Sequence, residues 1–425
     1  MADTYALEQS LADQDNDFLM QQLQYTYIND SNNSNYQQTL ALELSGIANS
    51  GKYFDATQSF ITIPVVMTLA STGGAITNSV ENAFACSLKN GFSNLVHSME
   101  IQASNNAVVS TMSYSGMMQN FTLLTGMSQD DTVNLAPTLH FAKDDALGIT
   151  YQNAPNAKGL GECNNTIKPS VFNPTAGYGK TGFGGSNKGR LDRMVNTSYD
   201  PTQTGESVAN LNQTGKNYCA RDPNGKFIVY NMLVNIPLTL LSDYFAKTPM
   251  LKGVYYRITL NLNTACSTTM SVANGTYTSV SSSSQNGVVP YMISPIGVSE
   301  GLDVGTATGL ELSIAIARNS INKTNQVFSH PTMTSCRIYC AMYDMSPSAE
   351  QMYLSKLPTK LIKYDDYLSI QTLNIPPNGN FNQILTNSIA RGRKLIGIPV
   401  ITENYAGSSG TISPLASPFS TSPCT

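Results

Sequence analysis

Residues 253–263 alternate without a break. Val254, Tyr256, Ile258, Leu260 and Leu262 fall on one set of positions, and Tyr255, Arg257, Thr259 and Asn261 on the other. Successive side chains of a strand point to opposite faces, so a period of two predicts a strand with one buried side. The same period recurs at Ile61, Ile63, Val65, Met67 and Leu69, and again at Leu310, Leu312, Ile314 and Ile316. Pro64 interrupts the first of these runs, which suits an edge strand or a bulge. Met99, Ile101 and Ala103 alternate up to Ser104-Asn105-Asn106, which is turn chemistry, and Ala107-Val108-Val109 follows; a hairpin is predicted there. Further strands are expected over 226–237, 337–343, 361–373 and 394–401.

Helices are few and short in this reading. One turn is expected at 117–124 and a helical link at 238–246. A third helix, 348–356, starts with Ser346 as N-cap and Pro347 at the first helical position. Many strands with few helices point to an all-β class of packed antiparallel sandwiches. Two stretches break the pattern. Residues 145–225 are rich in Gly, Asn and Lys without a sustained period and are expected to form a surface insertion. Residues 267–303, rich in Ser, Gly and Asn, are expected to be another loop.

The N-terminal stretch 1–55 reads as an arm. Leu7, Leu11, Phe18, Leu19 and Leu23 recur at roughly helical spacing, and a polar segment at 29–38 follows. So short a helix needs a partner surface to be stable. Asp3, Glu8, Asp13, Asp15 and Asp17 precede the first cation, Lys52, so the arm would be repelled by nucleic acid.

Charge is the unusual part of the composition. Only 12% of residues are Asp, Glu, Lys or Arg, against about 25% in ordinary soluble domains. Surfaces that will be covered by neighbours can dispense with charge, because a buried charge is costly unless paired. The net charge is −4 and the longest basic cluster is Arg391-Gly392-Arg393-Lys394, so direct nucleic-acid binding is not expected. The seven cysteines are scattered; Cys336 and Cys340 are close, but their spacing lacks the second pair or histidine of a zinc site. Reducing conditions during folding are expected. The acidic, mixed residues 1–17 do not read as a signal peptide, and no apolar run reaches 18 residues.

No catalytic constellation emerges from the sequence. Gly179-Lys180-Thr181 lacks the first glycine of a phosphate loop, Pro174 standing in its place, and Gly177, Gly179 and Gly182 have no strand before them. His97, His140 and His330 are far apart and show no metal-binding spacing. The pairs Asp130-Asp131, Asp144-Asp145 and Asp365-Asp366 are adjacent, and on a strand adjacent carboxylates point to opposite faces. The expectation is a protein that is not an enzyme, with no catalytic residues, no cofactor and no metal.

Four stretches carry a resemblance. They are the run from Asn94 through Leu95, Val96, His97, Ser98, Met99, Glu100 and Ile101 leading into 117–125; Val234-Asn235-Ile236-Pro237-Leu238 with Asp243-Tyr244-Phe245 and the strand 255–262; 338–343 with the helix after it and 364–370; and 394–400. Taken together, they resemble the double jelly-roll major capsid proteins of tailless double-stranded DNA viruses, the lineage of nucleocytoplasmic large DNA viruses and Polinton-like viruses. The resemblance spans about residues 55–401. It implies an arm at 1–55, a first jelly roll at 56–304 carrying the insertion 145–225, and a second roll at 305–425 with a Ser/Pro-rich tail. The family's second roll continues past the fourth stretch, so this one is expected to be incomplete or differently closed. The resemblance further implies homotrimeric, pseudo-hexagonal capsomers tiling an icosahedral shell in the virion after intracellular assembly in the host. Partners would be other capsomers, with minor capsid proteins or an inner membrane beneath. Two alternatives stay open: a single jelly-roll capsid protein with a projection domain, and a β-rich carbohydrate-binding or adhesin module.

Overall fold

The computed structural model describes residues 20–31, 38–74, 83–89, 91–141, 195–196, 218–221, 227–273, 276–284, 287–296, 308–316, 320–323, 326–329, 335–356, 358–370, 382 and 392–398. Its strands, in chain order, are β1 (Met20–Asn29), β2 (Thr39–Glu43), β3 (Tyr53–Gly73), β4 (Ala83–Leu88), β5 (Val96–Ala103), β6 (Ala107–Met112), β7 (Val195–Asn196), β8 (Tyr218–Arg221) and β9 (Phe227–Pro237). They continue with β10 (Arg257–Leu262), β11 (Cys266–Ala273), β12 (Thr276–Ser284), β13 (Tyr291–Ile296), β14 (Gly309–Ile316), β15 (Ser320–Lys323), β16 (Gln326–Ser329) and β17 (Arg337–Met345). The α-helices are short: α1 (Ser45–Ala48), α2 (Ser115–Gly126), α3 (Gln129–Asn134), α4 (Leu238–Leu241), α5 (Asp243–Lys247) and α6 (Pro347–Lys356).

Eight strands wind into a roll. β1 pairs with β17, β17 with β3, and β3 with β9, all antiparallel, as one layer. β2, β10, β5 and β6 pair in that order as the other. The chain therefore passes from one layer to the other after β1, β2, β3, β6, β9 and β10, and ends on β17 between β1 and β3. This is a jelly-roll winding, with first and last strands side by side. The inward faces carry the alternation read from the sequence. Ile61, Ile63, Val65, Met67 and Leu69 of β3 meet Leu40 and Leu42 of β2, Ile258 and Leu260 of β10, and Met99 and Ile101 of β5 in one buried core. Each such side chain contributes about 1.5–3 kcal/mol through burial.

β3 is 21 residues long because it serves two sets of partners on one edge. β17 runs along it to Thr62, and β14 takes over at Val65. Its other edge pairs with β9 from Phe60 to Ala70. Pro64 therefore sits in a two-residue seam where neither β17 nor β14 reaches, and a missing N–H is tolerated where a ladder is interrupted. Lower down, β3 makes a wide bulge opposite β17, where Tyr339 pairs with Phe60 but Ala341 pairs with Asp55. The Asp55 carboxylate accepts from the Thr57 amide (2.8 Å) and hydroxyl (2.6 Å). Ser59 donates to the Asp55 carbonyl (2.6 Å) and accepts from the Ala341 amide (3.0 Å). The bulge thus closes without leaving that amide unpaired.

Several expectations hold. The hairpin forms between β5 and β6 through Ser104–Asn106, with Asn106 at φ 58°, a left-handed position that asparagine tolerates. The Ala349 amide donates to Ser346 Oγ at 3.3 Å, so Ser346 caps α6 ahead of Pro347. The helical link after β9 forms as α4 and α5.

Others are corrected. Of the expected arm, residues 1–19 lie outside the described residues, whereas 20–29 and 39–43 are β1 and β2 of the roll, and Leu40 and Leu42 are core. Leu23 lies on a strand rather than a helix, because the residues from Gln22 to Ile28 alternate and β17 offers them a ladder. β1, β3 and β17 come from the spans expected as arm, first roll and second roll, so this roll closes across both expected boundaries. Residues 267–303 do not form one loop: β11 and β12 make a hairpin whose hydroxyls pair across the strands (Thr268 to Ser282, 2.9 Å), and β13 pairs with β4. The strands expected at 361–373 and 394–401 have no ladder in their described parts, 361–370 and 394–398. Tyr364 and Ile362 pack against the core there, but Leu361 and Leu395 are 78% and 76% exposed. Most of 145–225 lies outside the described residues; β7 and β8 within it pair with β4 and β9.

Candidate assembly surfaces

The outer face of the β2-β10-β5-β6 layer is a polar wall. Thr259, Asn261, Thr39, Ser98 and Gln102 point outward opposite the buried set. They satisfy one another: Thr39 donates to Asn261 Oδ1 (3.3 Å), and Asn261 Nδ2 donates to Ser98 Oγ (2.8 Å). Its charges are partnered within the wall, Arg257 with Glu43 at 3.7 Å and Glu100 accepting from Gln102. An exposed pair of this kind contributes little to stability.

The outer face at the β1 end of the large layer is aromatic. Leu23, Tyr25 and Tyr27 of β1 are 44%, 48% and 53% exposed. Behind them, Phe60 and Tyr339 stack with ring centroids 5.0 Å apart and planes 17° from parallel. Tyr25 packs on Phe60 (6.3 Å) and Tyr27 on Tyr339 (6.1 Å), and the Arg337 guanidinium lies 4.7 Å from the Tyr27 ring centre. Arg337 is held there by donating to Asn29 Oδ1 at 3.0 Å. Sequence reading missed this surface, although the alternation of Leu23, Tyr25 and Tyr27 was its signal. A third feature is a groove of about 350 Å³ lined by hydroxyls of Thr68, Ser267, Ser283 and Ser313 together with Glu311 and Cys266. Burial pushes the Cys266 thiol up to about 12, which favours its protonated form near neutral pH.

The residues weighed for chemistry are kept apart. His97 is half-buried against the Tyr114 ring at 5.1 Å, and burial lowers its pKa. His140 is buried beside β9, its Nε2 2.9 Å from the Leu233 carbonyl, and burial lowers its pKa further than that contact raises it. His330 is outside the described residues, as are Asp144, Asp145 and the glycine-rich loop 177–189. Asp131 completes a capping box with Ser128 at the start of α3, and the hydrogen bonds from Ser128 hold its carboxyl below its usual range. Asp365 binds Arg393 (2.7 Å), while Asp366 accepts from Ser110 (2.7 Å). Cys336 and Cys340 are both buried; four residues of extended chain separate them by about 13 Å, too far to share a metal. Among the described residues, no three His, Cys, Asp or Glu are grouped to hold a metal, and no helix is long and apolar enough to cross a membrane.

No protein-family model and no curated protein sequence matches the chain. Among solved structures it is similar to a chain of the cryo-EM structure of the Sputnik virophage, with 10% identity and a TM-score of 0.38 over 77% of this chain and 49% of that one. This chain thus spans about half the length of that one. It is also similar to the STIV MCP (8% identity, TM-score 0.18, 78% of this chain and 99% of that one) and to the mavirus penton protein (9%, 0.08, 76% and 99%). Likenesses so distant carry no argument; the fold rests on the ladders themselves.

Proposed function

We propose that the chain is a structural subunit of a viral capsid, a major capsid protein that self-associates into trimeric capsomers tiling an icosahedral shell, and that it acts in the virion and not as an enzyme. The observation that carries this reading is a jelly roll presenting an aromatic face at one edge and, on the other layer, a polar wall whose charges, Arg257, Glu43 and Glu100, are each partnered within it. Identical subunits can pack on such surfaces without like-charge repulsion. A second roll, expected over 305–425, belongs to the proposal, although β17 from that span completes the first. What supports it is that α6 and the segment 358–370 leave the completed first roll carrying exposed Met352, Leu354, Leu361 and Leu368. Minor capsid proteins or an inner membrane remain part of the proposal as further partners.

The test is the state of the purified full chain. Light scattering across concentration and salt, with negative-stain images, is expected to give trimers or larger shells. A monomer throughout would overturn the reading.

A further inference from the structure

We propose that the β1 edges of two copies pair with each other, antiparallel about a twofold axis at Tyr25, so that their two large sheets run on as one. This rests on the reading that copies self-associate, and adds which surface they use and in which register.

No described strand lies on the outer edge of β1. Among the described residues β1 has a ladder partner only in β17, and every residue from Gln22 to Tyr27 is exposed. Proteins usually blunt such edges with Lys, Pro, bulges or a covering segment. Met20–Asn29 contains no charged residue, no proline and no glycine, and its one irregularity lies at Met20/Gln22, leaving 22–29 in regular register. A foreign strand would be selected by charges or pockets along the edge; the strand itself carries no charge, and the two cations beside it, Arg337 and Lys52, are already engaged by Tyr27 with Asn29 and by Gln24. A second copy of the same strand fits without either.

Symmetry then sets the register. Two identical antiparallel neighbours in one sheet are related by a twofold perpendicular to it, so both present the same face. To meet each other, Leu23, Tyr25 and Tyr27 must pair odd position with odd position. Centring on Tyr25 gives the longest overlap: Tyr25 opposite its own copy, and Leu23 of each copy opposite Tyr27 of the other. Aromatic cross-strand pairs are favourable, and no like charges are opposed. Both tyrosines are already packed, on Phe60 and Tyr339, so little side-chain freedom remains to be lost on pairing. The seven residues of ladder, 22–28, cover less than the roughly 1,200 Å² of a stable interface, so this contact is weak alone and suits subunits held by other surfaces as well.

The experiment uses the full chain with Tyr25→Lys, Tyr25→Glu and an equimolar mixture of the two, read by sedimentation velocity. Each variant alone is expected to raise the concentration needed for association at least tenfold, and the mixture to restore it. If the native chain associates and neither variant changes that, the pairing is overturned while self-association stands. If the mixture does not recover, the edge meets a different surface, which also overturns it. If the native chain is monomeric at every concentration, self-association itself fails. Should either variant not fold, Tyr25→Cys with a short bis-maleimide is expected to give a covalent dimer absent from the native chain, and no such dimer would overturn the pairing.

Discussion

Ser59 Oγ accepts the amide of Ala341 at 3.0 Å, across a bulge that takes four residues of β3 out of register with β17. Ser59 is buried, and replacing it by alanine removes the acceptor of the Ala341 amide. Ser59→Ala is therefore expected to cost about 1–3 kcal/mol, the price of an unpaired buried amide. Urea denaturation with unchanged slope and a lowered midpoint would bear this out.

Ile258 and Thr259 are neighbours on opposite faces of β10. Ile258→Asp places a carboxylate in the core and is expected to cost several kcal/mol, comparable with the whole stability of a typical domain. Thr259→Asp reaches the polar wall and is expected to cost under about 1 kcal/mol. Melting curves of both variants decide it; equal damage would mean that both faces of β10 are buried.

A Cβ on Gly116 would stand 2.4 Å from the Ser93 carbonyl oxygen, whereas one on Gly126, ten residues along the same helix, would meet nothing within 4 Å. Gly116→Ala is thus expected to push α2 off the 3₁₀ turn at Gly91–Asn94 and to destabilise by about 1–3 kcal/mol or more. Gly126→Ala is expected to be neutral or to stabilise by up to about 1 kcal/mol. Chemical denaturation of the two variants side by side gives the contrast.

His140 is buried with its pKa held below the ordinary value of 6.5. The unfolded chain therefore takes up a proton there before the folded chain does. Stability is full above pH 6.5 and falls as pH drops through the interval between 6.5 and the lowered folded value, by at most about 1.4 kcal/mol per pH unit for one proton. His140→Gln is expected to flatten the stability profile between pH 6.5 and 5.5, before the carboxylates titrate. An unchanged slope would remove His140 as its source.

The core strands were legible because their burial is one-sided. Ile258 and Leu260, or Leu310 and Leu312, declare a face through period two alone. β11 and β12 were not, since Thr268 is buried by hydroxyl pairing to Ser282 and Tyr291, and a serine-rich strand looks like a loop until its partner is known. Around Leu361 and Leu368 the error ran the other way: strand-forming composition was present, but a ladder needs a second strand and β6 offers only isolated contacts, such as Val109 accepting from Tyr364 at 2.6 Å. The aromatic surface was half legible. Tyr25 and Tyr27 sit in a visible alternation, yet Phe60 and Tyr339, on which they rest, come from distant parts of the chain.

Tyr27 faces Tyr339 across the ladder of β1 and β17. The first strand of the roll thus waits for the last, with some 300 residues of synthesis between them. At about 5–20 residues per second on the ribosome, that interval is on the order of 15–60 s, during which both edges of an uncharged, tyrosine-bearing strand are open. In a cell making many copies at once, neighbouring nascent chains could capture one another through this strand before either roll closes. Slowing elongation should then raise the yield of tangled, insoluble chains, and prompt binding of Met20–Asn29 by a chaperone should lower it.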